Sequence, residues 1–252
     1  MQDERSTYLF GLRIDNLTFD ETVSRIHGFV EAGAVHQHVV VNVDKIVKAD
    51  RDPRIRDMVN QCALVNVDGQ PVVWVSRLLG QPLKERVTGI DLMIRLFSEA
   101  DARGYRLYFL GARKNVVEKV VDVVRTRYPG AQIAGWHDGY FSDAEEPELA
   151  DEIARTRPHI LFVAISSPKK ELFLARWKER IQAPFVMGVG GSFDVVAGLV
   201  RRAPAWMQRA GLEWLFRLLQ EPRRMWRRYL VEDMRFLRLV ASEWLARRAA
   251  AR

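Results

Sequence analysis

Six short apolar runs constrain this chain most. They are "HVVVNVD" (38–44), "ALVNVDG" (63–69), "YRLYFLGA" (105–112), "AQIAGW" (131–136), "HILFVAIS" (159–166) and "PFVMGVGG" (184–191). Each is too short for a buried helix, and most lack the alternation of a strand with one wet face. Stretches with helical spacing stand between them, such as "NVVEKVVDVVRTRY" and "AEEPELADEIARTR". Short strands alternating with helices predict parallel βαβ units. Continuous Val/Ile/Leu/Phe runs predict strands covered on both faces. The expected architecture is therefore α/β: a Rossmann-like, mostly parallel sheet with helices on both faces. Ligands of such open sheets bind beyond the carboxyl ends of the strands.

The letters VNVD occur twice at such ends, at Val41–Asp44 and Val65–Asp68. The residues that follow, "KIVKAD" and "GQPVVW", do not match, so the copies are two strand ends and not an internal repeat. Asp68-Gly69 is also a turn signal, which gives Asp68 an ordinary structural reading beside a catalytic one.

Charge divides the chain more sharply than hydropathy does. Residues 200–252 hold thirteen arginines against five acidic residues, a surplus of eight, while the whole chain carries +7. Four of the seven tryptophans fall in the same segment. The expected organisation is an α/β catalytic domain over 1–199 and an Arg/Trp-rich helical appendage over 200–252. In the appendage "APAWMQRAGLEWLFRLLQ" reads as helical. A second helix restarts at Pro222, with Trp226, Tyr229, Leu230, Leu237, Val240 and Trp244 on an apolar face and arginines largely elsewhere. Such a helix suits docking on the domain, or lying on an anionic membrane. A single cysteine, Cys62, excludes an internal disulfide. No signal peptide and no spanning segment is evident, so the expected location is cytoplasmic, peripheral to the inner face of the plasma membrane.

Local motifs are individually weak. "GVGGSFD" (188–194) follows a strand and offers glycines that would let backbone N–H groups approach a phosphate; a tight turn needs them equally. It lacks the G-x-G-x-x-G spacing of a dinucleotide site. Asp50-Arg51-Asp52 has D-x-D spacing, but next to Pro53 it reads as capping or turn chemistry. His36 and His38 share a strand face without a third metal ligand at suitable spacing. No metal or cofactor is expected.

Read together and in order, "NVDK", "ALVNVDGQPVVWVSRLLG", "KERVTGIDLM", "LYFLGA", "SSPKKE", "GVGGSFDVVAG" and "RAPAWMQRAGLEWLFRLLQEPRRMWRR" resemble the WecG/TagA/CpsF glycosyltransferase family, over about residues 8–230. The resemblance implies an inverting, metal-independent transfer from a UDP-sugar to an undecaprenyl-diphosphate-linked sugar in cell-surface polysaccharide synthesis. By motif position it implies Asp68 as general base, with Asn42 and Arg86 in the active site. Arg217, Arg224 and Arg227 are implied to act over the diphosphates, and Gly190, Gly191 and Asp194 in a nucleotide-side loop. Lys170 stands where the family often has Gln, and Val40 where it often has Thr. The implied partners are the UDP-sugar, the lipid-linked acceptor and an anionic membrane surface, with homo-oligomerisation left open. A catalytically inactive peripheral membrane scaffold of the same fold is the alternative. Nucleic acid is not an expected partner, although interleaved Trp and Arg would permit binding.

Overall fold

The computed structural model describes residues 6–167, 169–220, 222 and 233–250. By packing the chain divides into two units, one of residues 1–18, 40–88 and 202–252, the other of residues 19–39 and 89–201.

A hairpin opens the first unit, β1 (Ser6–Leu9) against β2 (Leu12–Asp15), antiparallel with Leu9 opposite Leu12. Its turn residues, Phe10 and Gly11, both have positive φ (54° and 73°), the handedness that matches strand twist in a two-residue hairpin. Helix α1 (Phe19–Ala32) follows, in the second unit, and leads into β3 (His36–Val41), along which the chain passes into the first unit.

The helical pattern after β3 breaks in two. Helix α2 (Val43–Arg51) ends at Asp52, and α3 (Pro53–Asn60) begins there. Asp52 serves both: its backbone N–H closes α2 on Lys48, and its carboxylate accepts from the Arg54 N–H. Pro53 takes the first position of α3, where a missing N–H costs nothing. Strand β4 (Leu64–Val67) and helix α4 (Gln70–Leu78) complete this stretch. The buried Asp15 carboxylate fixes the start of β4, accepting from the Val65 N–H at 2.8 Å while Arg13 pairs with its other oxygen at 3.0 Å.

The second unit continues with α5 (Gly89–Arg103), β5 (Arg106–Gly111), α6 (Lys114–Arg127), β6 (Gln132–His137) and α7 (Glu146–Thr156). Then come β7 (Ile160–Ala164), α8 (Lys169–Ile181), β8 (Phe185–Gly188) and the short α9 (Ser192–Val196). The strands form one six-stranded sheet in the order β4-β3-β8-β7-β5-β6, and β3–β8, β8–β7, β7–β5 and β5–β6 run parallel. Within the second unit the central strands are buried on both faces, as their unbroken apolar runs predict. On one face Tyr108, Leu161 and Val186 pack with Leu149 and Ile153 of α7 and Phe173 of α8. On the other, Phe109 and Phe162 stack at 5.6 Å, and Phe97 of α5 meets Phe162 edge-on at 5.4 Å. Truncating one such ring to Ala costs about 3–5 kcal/mol.

The remaining helices belong to the first unit. The pattern over 203–220 is two helices, not one: α10 (Ala205–Arg209) and α11 (Glu213–Gln220). Gly211 between them has φ 73°, which ends the first. Helix α12 (Asp233–Ala250) follows. It docks through Phe236 and Val240, both buried, with Phe236 against Phe10 at 5.6 Å and Arg235 paired with Asp50 at 2.8 Å. The periodicity had put Leu237 on the apolar face with Val240; the structure exposes Leu237, because Phe236 takes the docking stripe one residue earlier. Trp226, Tyr229 and Leu230 lie outside the described residues.

Candidate active site

Three segments lie side by side at the carboxyl ends of β3 and β4. The Asp68 N–H donates to the Val41 carbonyl at 2.9 Å, and the Val87 N–H donates to the Val67 carbonyl at 2.9 Å. Asn42, Asp68 and Arg86 are therefore neighbours along the backbone of one unit, though 18 or more residues apart in sequence. Asn42 is the N-cap of α2, its side-chain oxygen accepting from the Lys45 N–H at 3.0 Å. That bond fixes the side chain by its oxygen, and its NH2 group is the part available to donate elsewhere.

The Asp68-Gly69 pair is not a left-handed turn. Gly69 has φ −94° and ψ 122° and caps the N-terminus of α4. A Cβ at Gly69 would lie 3.6 Å from both Cα and Cβ of Asn42, an ordinary contact, so the two strand ends are closely apposed. Asp68 itself is partly exposed, whereas Asn66 in the same strand is buried, which matches a structural part for Asn66. A partly exposed carboxylate one residue before a helix N-terminus is placed to take a proton from an incoming hydroxyl.

Arg86 is held by the appendage. Its Nη1 donates to Glu213 Oε2 at 3.2 Å and its Nη2 to the Gln208 carbonyl at 3.4 Å. The other oxygen of Glu213 accepts from Arg202 Nε at 3.4 Å. Side-chain exposures are 17% for Arg86, 21% for Arg202 and 19% for Glu213, so the three charges are mostly shielded from water. Two guanidiniums thus meet one carboxylate, one on each of its oxygens. At Gly211 a Cβ would come within 2.7 Å of Gln70 Cγ and 3.3 Å of Trp74, so the α10–α11 turn rests on the first turns of α4, close after Asp68 in the chain.

The second unit carries the remaining candidates. The Lys170 side chain lies over Gly188 at the end of β8, where a Cβ would meet Lys170 Nζ at 3.0 Å. Lys170 pairs with Glu171 at 3.3 Å, with exposures of 15% and 14%, so this cation is locally neutralised. Gly190 has φ 53°, and a Cβ there would touch nothing; its glycine is required by the turn and not by crowding. Gly191 caps α9, and the Asp194 carbonyl accepts from the N–H groups of Leu199 and Val200.

Arg217 lies in α11, while Arg224 and Arg227 lie outside the described residues. His36 stacks on Phe29 at 4.0 Å and His38 packs by Phe185 at 5.9 Å. Asp50 and Asp52 serve the ion pair and the caps already described. Among the described residues no cluster of three or more His, Cys, Asp or Glu could hold a metal ion. Sequence reasoning missed Glu213, Arg202 and Gln208. The one available signal was that Glu213 is the sole acidic residue between 200 and 220.

Residues 7–250 match the Glycosyl transferase WecG/TagA/CpsF family. A protein of Bacillus spizizenii strain W23, "N-acetylglucosaminyldiphosphoundecaprenol N-acetyl-beta-D-mannosaminyltransferase", is 39% identical over 192 residues, which is 76% of this chain and 74% of that protein. A protein of the same name from Bacillus subtilis strain 168 is 37% identical over 190 residues, 75% of this chain and 73% of that protein.

Proposed function

The chain belongs to the WecG/TagA/CpsF glycosyltransferase family, and from that premise we propose that it transfers an N-acetylhexosamine from a UDP-sugar to an undecaprenyl-diphosphate-linked sugar. The names of both relatives support the acceptor class and the kind of sugar moved. The single observation that carries the reading is the apposition of Asp68, Asn42 and the Arg86 segment at two adjacent strand ends.

The reaction is a direct displacement with inversion. The acceptor hydroxyl oxygen bonds to the anomeric carbon and its proton passes to Asp68. The bond from that carbon to the diphosphate breaks, and its electron pair leaves on UDP. General-base assistance of this kind is worth about 10²–10⁴-fold. The negative charge developing on the diphosphate needs pre-placed donors. Arg86 supplies a guanidinium that stays charged and can bind two phosphate oxygens at once. The reading needs no metal for this step.

The described part of the appendage supports a site at a membrane surface. Trp206, Trp214 and Leu219 are exposed within the arginine-rich segment, and Trp74 and Leu78 of α4 are exposed in the same unit. Aromatic and aliphatic groups flanked by arginine suit the headgroup region of anionic lipid. No described helix is long and apolar enough to cross a membrane.

The test is UDP release from a panel of UDP-sugars offered with undecaprenyl-diphosphate-linked N-acetylglucosamine and anionic vesicles. Acceptor-dependent release from a UDP-N-acetylhexosamine is expected. Absence of release from every donor would leave the inactive scaffold as the better account.

A further inference from the structure

Arg86 could reach a substrate phosphate usefully only if its guanidinium is held in one place, because a free arginine loses side-chain entropy of up to about 2 kcal/mol on binding. What holds it is on another element. Glu213, the first residue of α11, accepts from Arg86 with one carboxylate oxygen and from Arg202 with the other. Gln208, on α10, takes a second Arg86 donor through its carbonyl. An arginine has five N–H donors, so its fork keeps donors beyond these two for a ligand. Without Glu213 the carboxylate that bridges the two guanidiniums would be lost, in a mostly shielded setting where charge interactions are poorly screened.

We infer that Glu213 is the positioning residue for Arg86: it fixes the guanidinium at the end of β4 and, through Arg202, ties that geometry to the docked α10–α11 pair. The inference rests on the reading of Arg86 as the cation that meets the leaving diphosphate. Glu213 touches no reacting atom in this scheme. Its effect passes through the orientation of Arg86, so it belongs to the rate of the chemical step and not to the binding of the donor.

The geometry also distinguishes positioning from obstruction. An obstructing carboxylate would occupy the place of a phosphate and leave when substrate arrived, and its removal would raise the rate. Here the carboxylate sits in the first turn of a helix, where negative charge is favoured, and bridges two cations at once. Both features argue that it stays.

The experiment measures kcat and donor KM for Glu213→Gln, Glu213→Ala, Arg86→Ala and the double variant Arg86→Ala/Glu213→Gln, using full-length protein with lipid-linked acceptor. Glu213→Gln keeps the shape and guards against loss of folding in the alanine variant. The expected result is a kcat loss of about 10- to 100-fold for the Glu213 variants, the scale of a misplaced catalytic group, with donor KM nearly unchanged. The double variant should be no slower than Arg86→Ala alone, because the two residues act through one interaction. Wild-type or raised kcat in Glu213→Gln, or a double variant whose losses multiply, overturns the inference. Full activity in Arg86→Ala overturns instead the reading on which it rests.

Discussion

Two strand ends of this molecule each offer an acidic residue beside glycine and a shielded cation, yet they are built differently. After β4, Gly69 is extended and Asp68 stands outside any helix, next to Asn42. After β8, Gly190 is left-handed and Asp194 lies within α9. The cations differ as well. Arg86 shares its carboxylate partner with a second arginine, whereas Lys170 pairs with a carboxylate next to it in sequence, Glu171. Similar motif letters thus give one end suited to proton and charge transfer and another whose charge is locally neutralised. A charged residue in a motif is informative only once its partner is known.

The largest effect is expected at Arg86. Arg86→Ala should lower kcat by about 10²–10³-fold, the usual loss for a donor aimed at developing charge, measured by UDP release with lipid-linked acceptor. Next, Gly211→Ala places a side chain at φ 73°, which costs about 1–2 kcal/mol. The variant should melt a few degrees lower and lose protection from proteolysis over residues 203–220, with activity falling alongside. An unchanged melting curve would mean that the α10–α11 turn contributes nothing to stability. A smaller effect is expected from Lys170→Gln: within about fivefold of the wild-type rate, as for ion pairs worth no more than ~1 kcal/mol. A larger loss would show that Lys170 acts on substrate despite Glu171.

The smallest effect concerns pH and again separates the units, since all five histidines fall in the second. Burial, aided by Arg103, lowers the pKa of His27 below its ordinary 6.5, and burial with Arg106 lowers that of His159. The unfolded chain therefore binds more protons as pH falls from above 6.5 through the folded values, and stability declines over that window. Hydrogen exchange at pH 7.5 and pH 5.5 should show protection lost mainly around α1 and β7, and replacing both histidines with Gln should flatten the difference.

Much of the second unit was legible because its central strands β5, β7 and β8 are nearly continuous apolar runs, and burial on both faces demands that pattern. Each of the six sheet strands overlaps one of the runs identified, with β3 starting two residues before its run and β6 ending one residue after its own. The first hairpin was not announced in the same way: its strands are four residues each, and its turn is Phe-Gly, not the usual Asn-Gly or Asp-Gly. The helix break at Asp52-Pro53 followed from proline chemistry, but the break at Gly211 was hidden inside a strong helical pattern. Motif order supplied Asp68, Asn42 and Arg86. It did not supply Glu213 or Arg202, because a carboxylate that pairs with an arginine 127 positions away has no local signature. Asp15, fixing β4 from 50 residues away, escaped for the same reason.

The central claim is that the carboxylate after β4 takes the proton, and paired substitutions test it most directly. Asp68→Asn and Asp194→Asn would be compared for UDP release with lipid-linked acceptor and for donor binding by calorimetry. The account predicts that Asp68→Asn loses at least about 100-fold in turnover while still binding donor, and that Asp194→Asn loses far less. Near-normal turnover in Asp68→Asn, or a greater loss at Asp194, would contradict it.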